Sequence, residues 1–460
     1  MSTKNKFVRD MREGTPWKLL LQFAVPLFIG NIFQQLYNMV DSVIVGNFVS
    51  TNALGAIGTT NSLTFFFFSL VGGLSVGIGI IVAQFFGASD EEKVREVIGN
   101  AVWIIVIGTV VMAIIGFFAA RPLLVLLRTD PIILNDAVNY LKVTSLGICC
   151  IGLYNGVSGI LRALGDSKTP LIFLIVASIT NVVLDLIFVL VFGWGVVGAA
   201  VATAFSQFLS AISCIIYAYK TNTYFKLKKS DFIPRMKIVK KTLRLGIPVA
   251  LQNSLIAISL IVLQAIVNSY GADFTTAFTV VSRIETLVQQ PFMSIGAAVS
   301  TFTGQNLGAG NIKRVIKGFN SANVINAIFV AVIMLLFWIF TPQIVSIFGR
   351  NEKVLGIAVD GLRITCCFYI FLGTIYTTRN VLNGAGDAMF SLFTGIVECI
   401  GRVGFAYPLT LIPFMGSYGV FYATGITWLL NGLFSLVRYK HGKWKTIHLV
   451  KNTSAEGEDN

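Results

Sequence analysis

The sequence predicts an all-α membrane protein in which twelve transmembrane helices form two lobes of six. Three observations support this prediction. Of the 460 residues, 55% are hydrophobic and only 12% are charged, whereas roughly a quarter of the residues in a soluble globular protein are charged. Apolar runs of about 20 residues, the length that crosses a bilayer, recur along the whole chain. The third observation is an internal repeat that divides the chain in two.

The apolar runs and the polar or glycine-rich breaks between them predict where each helix begins and ends. The first six helices are expected at residues 17–45, 54–85, 97–120, 133–162, 169–192 and 196–220. The second six are expected at residues 242–269, 275–304, 319–347, 354–382, 388–413 and 417–440. The chain therefore divides into an N-tail (1–16), an N-lobe (17–220), a basic linker (221–241), a C-lobe (242–440) and a C-tail (441–460).

Basic residues explain the net charge of +14 without a nucleic-acid partner. They fall in alternate loops, and the largest group lies in the linker between Lys220 and Arg244. Lys and Arg are enriched in the cytoplasmic loops of membrane proteins. We therefore expect a multi-pass protein of the cell (plasma or inner) membrane, with the linker and both tails in the cytoplasm.

Cysteine and histidine usage argues against an enzyme. The six cysteines lie within or beside apolar segments, where cysteine acts as a small packing residue. The two histidines, His441 and His448, both fall in the C-tail. We therefore expect no zinc cluster and no Ser-His or Cys-His catalytic pair inside the fold.

An internal repeat relates the two halves at a constant offset of 221 residues. Gln84-Phe-Phe-Gly-Ala88 falls on Gln305-Asn-Leu-Gly-Ala309, and Gly165-Asp166 falls on Gly386-Asp387. One register across separate segments indicates a duplication. Because each copy has an even number of helices, the copies are parallel repeats about a pseudo-two-fold axis along the membrane normal. A substrate cleft near the membrane midplane is then expected between them.

Polar residues inside the first helix make simple packing of duplicated bundles the weaker interpretation. Asn31, Gln34, Asn38 and Asp41 are spaced three or four residues apart and form one polar stripe. A carboxylate at membrane depth is costly, so Asp41 is a candidate functional residue. The alternative is that Asp41 lies at a helix end near the outer loop.

The fifth helix carries a second candidate, because Asn181 and Asp185 are four residues apart and share a face. Two carboxylates with amide and hydroxyl oxygens can hold one shared proton or coordinate Na⁺. Spacing alone does not show that Asp41 and Asp185 meet. Independent structural roles for the two residues remain the alternative.

The second half lacks these groups, since Asn181 corresponds to Arg402 and Asp185 to Ala406 at the repeat offset. Glu398 and Arg402, four residues apart, are expected to form a buried ion pair with a structural role. We therefore assign the cation chemistry to the N-lobe.

Several motifs together resemble the multidrug and toxic compound extrusion (MATE) family over essentially the whole chain. They are Val40-Asp-Ser-Val-Ile-Val-Gly46, Leu161-Arg-Ala-Leu-Gly-Asp166, Asn181-Val-Val-Leu-Asp185, Val281-Ser-Arg283 with Gln290-Pro291, and Gln305-Asn-Leu-Gly-Ala309. The resemblance implies export of cationic or amphipathic organic compounds in exchange for H⁺ or Na⁺, by alternating access of two six-helix lobes. No cofactor beyond the coupling ion is expected, and the protein is expected to be a monomer in the lipid bilayer.

The resemblance also implies particular site residues. The cation site of the DinF-like branch corresponds to Asp41, Asn181, Asp185 and Thr203, with Asn155 as a weaker match. The acidic pair that the NorM-like branch has in its C-lobe is missing, which favours coupling in the N-lobe. The residues expected to line the substrate cavity are Gln34, Asn38, Arg283, Gln290 and Tyr376.

Two other functions remain as alternatives. A flippase or exporter of a lipid-linked or other polar metabolite, within the same superfamily, needs a cationic cavity. The cavity-facing helices show few basic residues beyond Arg283 and Arg402, which counts against it. A membrane enzyme needs a nucleophile or metal constellation, and the sequence shows none.

Overall fold

The computed structural model describes residues 9–349, 351–447 and 449. The first part of the N-tail, His448 and most of the C-tail therefore lie outside the described residues. All regular structure in the described part is helical. The α-helices are α1 (Pro16–Phe48), α2 (Thr51–Gly87), α3 (Glu91–Leu126), α4 (Pro131–Ala163), α5 (Lys168–Asp185), α6 (Gly195–Thr221), α7 (Met236–Asn268), α8 (Ala272–Gly308), α9 (Ile312–Ser346), α10 (Glu352–Cys366), α11 (Tyr369–Ala385), α12 (Ala388–Thr410) and α13 (Gly419–His441).

These helices supply the twelve predicted spans. Ten helical segments of the described chain are long and apolar enough to cross a bilayer. α10 and α11 form one further span that is bent by 50° between them. α8 has 37 residues and packs against α9, α10 and α11 within the same lobe, and it completes the set. The predicted fold class is confirmed.

Side-chain caps begin α2, α3 and α9 three, six and seven residues before the predicted positions. The side chains of Ser50, Asp90 and Asn311 each accept a hydrogen bond from a backbone N–H in the first turn of α2, α3 and α9. Such caps satisfy backbone donors that lack a partner within the helix. α5 continues into a π-helical turn, Leu186–Val191, before α6.

α7 begins at Met236, six residues before the expected start of the C-lobe. Arg235 at its N-terminus is anchored to α3: its guanidinium lies 2.7 Å from Glu96 and its backbone N–H donates to Asn100 Oδ1 at 2.7 Å. The connection after α6 is therefore shorter than residues 221–241. It contains two short 3₁₀ turns, Thr223–Phe225 and Lys229–Phe232.

The two halves repeat the same helix pairings. In the N-lobe α1 packs on α5, α2 on α4, and α4 on α6. In the C-lobe α7 packs on α12, α8 on α10 and α11, and α11 on α13. Across the lobes α1 packs on α8 and α7 packs on α2, so the contact is reciprocal. This pattern is what a two-fold axis between duplicated lobes requires.

The lobes are closed against each other at the face that carries residues 9–15, the linker and the end of α13, here called the linker face. Gln84 Nε2 donates to the backbone oxygen of Gly384 at 2.8 Å, and Gln305 Nε2 donates to the backbone oxygen of Ala163 at 2.9 Å. The four positions are related by the repeat offset, so the two hydrogen bonds are symmetric partners. They are called the glutamine latch below.

Farther from the linker face, the contacts between lobes end near the middle of the helices. The hydroxyls of Ser69 on α2 and Ser254 on α7 are 3.0 Å apart. Asn31 Nδ2 on α1 donates to Ser294 Oγ on α8 at 3.3 Å. A central cavity lies between the lobes at this level, with closure on the linker-face side.

Residues 9–15 form a strap across the linker face and contact both lobes. The N–H of the fully buried Met11 donates to Gln305 Oε1 at 2.9 Å, and Arg314 Nη2 donates to the oxygen of Gly14 at 2.7 Å. On the other lobe, Arg12 Nη1 donates to the oxygen of Gly87 at 2.8 Å. The strap therefore reinforces the closed linker face.

Candidate functional site

The structure brings Asp41 and Asp185 together. Asp41 lies on α1, and Asp185 is the last residue of α5, the helix on which α1 packs. Their carboxyl groups are within hydrogen-bonding reach of each other. Asp185 is fully buried and Asp41 is half-buried. The contact that helical spacing left open is therefore made in the folded chain.

Asn181 and Thr203 complete an oxygen-rich cluster around this pair. With its amide oriented to satisfy both ends, Asn181 donates to Asp185 Oδ2 at 3.2 Å and accepts from the backbone N–H of Thr203 at 3.3 Å. Thr203 comes from α6, which packs on α5. Three helices thus contribute to one buried site.

Two tyrosines next to the pair were not identified from the sequence. Tyr37 and Tyr140 are close enough for their phenol groups to interact electrostatically with Asp41. Tyr37 precedes Asp41 by four residues on α1, so helical spacing was a usable signal. Tyr140 lies on α4, and only the packing of α4 on its neighbours places it at the site.

Asn155 lines the central cavity between the lobes. This cavity has a volume of about 340 Å³. Its polar lining residues are Asn31, Ser75, Asn155, Arg162, Asn253, Ser294, Ser300, Thr301 and Asn380. The assignment of Asn155 to the cation site stays a prediction.

The five residues expected to line the substrate cavity lie elsewhere. Gln34, Asn38 and Arg283 are exposed, on the part of α1 and α8 beyond the contact between Asn31 and Ser294. Gln290 is buried and donates to the oxygen of Thr286 in its own helix at 2.9 Å. Tyr376 faces a separate pocket in the C-lobe. None of the five belongs to the lining of the 340 Å³ cavity, and their assignment to the substrate path stays a prediction.

Arg162 is the cavity residue that the sequence analysis missed. It is half-buried at the end of α4, and it is the only charged side chain in the lining of this cavity. The sequence places it in the Leu161–Asp166 motif, as the last residue of the predicted helix 133–162. Its position in the cavity depends on how α4 packs against the other helices.

The C-lobe contains its own polar pocket of about 100 Å³. Glu398 and Arg402 form an ion pair of 2.9 Å there, and Arg402 also donates to Ser259 Oγ at 2.6 Å. Glu285 on α8 lines the same pocket, with one carboxylate oxygen lacking a hydrogen-bond partner among the described residues. Only the packing of α8 on α10 and α11 brings Glu285 into this pocket.

The N-lobe cluster can hold a small cation. Its donors are carboxylate, amide and hydroxyl oxygens, the ligand types that suit H⁺ sharing or hard cations. The described residues contain no group of three or more His, Cys, Asp or Glu side chains that could bind a metal ion. The donor set of the N-lobe cluster suits a proton or Na⁺.

Two parallel six-helix lobes with a polar cavity between them and a buried carboxyl cluster are the architecture of a membrane transporter. A family model described as MatE matches residues 26–187 and 248–408. The chain therefore belongs to the MATE family of transporters, as its motifs indicated.

Known relatives align with this chain along nearly its full length. The chain is 30% identical over 446 residues to "Probable multidrug resistance protein YpnP" of Bacillus subtilis (strain 168), covering 96% of this chain and 98% of the relative. It is 24% identical over 440 residues to "Multidrug export protein MepA" of Staphylococcus saprophyticus, covering 93% of each. A solved outward-facing structure of a multidrug resistance MATE family transporter of the MOP superfamily aligns with a TM-score of 0.90, at 26% identity. That alignment covers 97% of this chain and 100% of the other.

Proposed function

We propose that this protein is a multidrug exporter that exchanges cationic or amphipathic organic compounds for H⁺ or Na⁺ by alternating access. The names of its relatives support the substrate class. The single observation that carries the coupling mechanism is the contact between Asp41 and Asp185. The architecture and donor set fit the DinF-like branch of the family.

The carboxyl pair makes this region sensitive to cation occupancy. Two negative charges at hydrogen-bonding distance repel each other, and little water is present to screen them. A bound proton or Na⁺ removes that repulsion and bridges the two oxygens. The Thr203 hydroxyl can supply a further oxygen ligand, and Asn181 keeps its hydrogen bond to Asp185 Oδ2. The cluster is therefore stable when it is occupied and strained when it is empty.

Helix α1 connects this cluster to the substrate cavity. Asp41 lies on the outer part of α1, whereas Leu27 and Asn31 of the same helix line the cavity. Pro26 lies inside the helix and removes one backbone hydrogen bond, which gives α1 a natural point of bending. A change in charge at Asp41 can thus alter the cavity through the position of α1. Cation binding and substrate binding then favour different positions of α1, so that each opposes the other.

The experiment is transport in proteoliposomes with an imposed pH or Na⁺ gradient. Asp41→Asn mimics the neutral form, so we expect a folded protein that binds substrate but no longer exchanges it for cation. Asp136→Asn is the matched control, because Asp136 is an exposed carboxylate of the same lobe. Wild-type exchange by Asp41→Asn would refute the mechanism. Comparing the two gradients identifies the coupling ion.

Arg162 favours one second candidate, the export of a polar metabolite that carries an anionic group. A single guanidinium in an otherwise uncharged cavity attracts carboxylate or phosphate and disfavours cations. Organic anions and organic cations are tested as competitors of substrate in the same transport assay, which separates the two functions. Under the multidrug proposal, Arg162→Gln leaves cation export intact or improves it. Loss of transport that is specific to anions would support the second candidate.

A further inference from the structure

A large groove on the linker face has no part in the proposed transport path. It lies between α7, α12 and α13 of the C-lobe and has a volume of about 900 Å³. Lys241 and Arg244 of α7 lie on one side, and Lys443 lies beyond the end of α13 on the other. We call this feature the basic groove.

The groove carries an uncompensated positive charge. Among the described residues, no carboxylate lies within salt-bridge distance of Lys241, Arg244 or Lys443. The one acidic residue of its lining, Asp387, is held by Arg438 in contacts of 2.7 and 2.9 Å. Lys241 donates a hydrogen bond to the backbone oxygen of Leu449, a neutral acceptor that leaves its positive charge in place. The three basic side chains therefore present positive charge to an anion.

Below these charges the groove is apolar and open to the bilayer. Phe393 on α12 is 49% exposed, and Val437 on α13 is 68% exposed. Val437 precedes the end of α13 at His441 by four residues, which places it about 6 Å deeper along the helix. Phe393 lies about 7 Å beyond the start of α12 by the same rise per residue. The groove thus has charge at the surface and apolar side chains about one turn deeper. A phospholipid has the same arrangement, with a charged headgroup above apolar acyl chains.

We propose that the basic groove binds one anionic phospholipid from the leaflet at the linker face. Its phosphate contacts Lys241, Arg244 and Lys443, and its acyl chains lie along Phe393 and Val437. A free phosphate would leave the exposed apolar side chains uncovered, and a zwitterionic lipid has no net negative charge to offset the charge of the three cations. Basic pockets between transmembrane helices are known sites for anionic headgroups.

The position of the groove links lipid binding to the contact between lobes. Arg244 is two residues from Gly246, whose backbone packs directly against Gly73 of α2. A lipid bound at Arg244 therefore fixes the part of α7 that carries this contact. This inference stands on the groove itself and does not depend on which ion drives transport.

The test is a titration of the purified full-length protein followed by native mass spectrometry. The probes are phosphatidylglycerol and phosphatidylcholine with identical acyl chains. We expect one tightly retained phosphatidylglycerol and no comparable retention of phosphatidylcholine. The variant Lys241→Gln/Arg244→Gln/Lys443→Gln should weaken phosphatidylglycerol binding by about fivefold for each charge removed.

The control variant is Lys220→Gln/Lys226→Gln/Lys229→Gln, which removes three exposed charges from the same face outside the groove. It should retain the wild-type affinity. Equal loss in both triple variants would indicate general charge attraction and overturn the proposal. Equal binding of phosphatidylcholine, or displacement of the lipid by millimolar inorganic phosphate, would also overturn it. A monodisperse gel-filtration profile establishes that each variant is folded.

Discussion

The side-chain amide of Gln84 in the N-lobe donates a hydrogen bond of 2.8 Å to the backbone oxygen of Gly384 in the C-lobe. Gln305 makes the symmetric bond of 2.9 Å to Ala163 in the opposite direction. Both residues are buried. The glutamine latch therefore uses the pseudo-symmetry to hold the linker face closed while the cavity lies beyond it.

The first prediction is that the latch stabilises this closed state. Gln84→Met combined with Gln305→Met keeps the volume but removes both latch bonds, together with the bond that Gln305 Oε1 accepts from the N–H of Met11. Each latch bond contributes about 1 kcal/mol, so the ratio of closed to open linker faces should fall by at least roughly 30-fold. Spin labels on cysteines at Glu92 and Lys313, two exposed positions related by the repeat, report the distance between lobes. The native cysteines are removed first.

Gln207→Met is the matched control for the latch, because Gln207 is a buried glutamine within the N-lobe. It should leave the distance distribution unchanged. A double latch variant with the wild-type distribution would show that other contacts keep the linker face closed.

The second prediction concerns the glycines beside the latch. A methyl group on Gly87 would lie 2.0 Å from the backbone oxygen of Gln305, and one on Gly308 would lie 2.0 Å from that of Gln84. Backbone atoms cannot yield to such a clash. Gly308→Ala should therefore force the lobes apart at the linker face, at a cost of about 1 to 3 kcal/mol to the closed state. The same spin-label distance should lengthen.

Gly58→Ala is the control. Gly58 also lies inside a helix, but a methyl group there meets nothing within 4 Å. Alanine is a better helix former by about 1 kcal/mol, so this variant should be neutral or stabilising. A Gly308→Ala protein that retains the wild-type closed distance would contradict the assigned packing.

The third prediction is that the pair of Glu398 and Arg402 is structural. Glu398→Gln leaves a buried guanidinium without its carboxylate and should lower the free energy of unfolding by about 3 kcal/mol. Cation exchange by the remaining folded protein should persist. Thermal unfolding in detergent measures the first effect, and proteoliposome transport measures the second.

Replacing Glu398 and Arg402 together by methionine should recover much of the lost stability, because no unpaired charge is then buried. Glu352→Gln serves as an exposed control on the same lobe. A stable Glu398→Gln protein that binds substrate but has lost cation exchange would move the coupling site to the C-lobe.

The fourth prediction is the orientation of the chain in the membrane. The basic residues of the linker predict that it lies in the cytoplasm. A cysteine introduced at Lys229 should therefore resist a membrane-impermeant maleimide added to intact cells, whereas one at Ser269, in the loop after α7, should react. Both should react in permeabilised cells. The reverse pattern would invert the topology.

The fifth prediction concerns the strap at the linker face. Burial acts to raise the pKa of Asp10, but the hydrogen bonds and charge of Arg12 outweigh it, so the pKa lies below its ordinary value. A carboxyl group with a lowered pKa in the folded state stabilises that state above its unfolded pKa of about 3.9. That stabilisation is lost as the pH falls through the folded pKa.

In the wild-type protein the strap should loosen when the pH falls below about 4. Asp10→Asn should already be loosened at pH 7 and should show no further loosening in that range. Hydrogen exchange at the amide of Met11, corrected for the intrinsic rate, measures this, because that amide bonds to Gln305. Glu13→Gln is the control, since Glu13 is exposed. Equal exchange in the two variants would show that Asp10 does not hold the strap.

The sequence by itself determined the helices, their order and the duplication. Apolar runs must satisfy their backbone groups internally in lipid, so long helices are the available structure for them. The repeat offset that aligns Gln84 with Gln305 is a property of the sequence alone. It also pointed to Asp41 and Asp185, because charge within an apolar helix is rare.

Only the tertiary structure decided which of these residues meet. Helical spacing places side chains on a face of one helix, but it carries no information about which other helix packs there. The contact between Asp41 and Asp185, the position of Tyr140 beside them, and the position of Asn155 in the cavity lining all depend on the packing of α1, α4, α5 and α6. Helix packing likewise places Arg162 and Glu285 in their pockets. Contacts between residues distant in sequence are set by the packing of whole helices, which local periodicity does not encode.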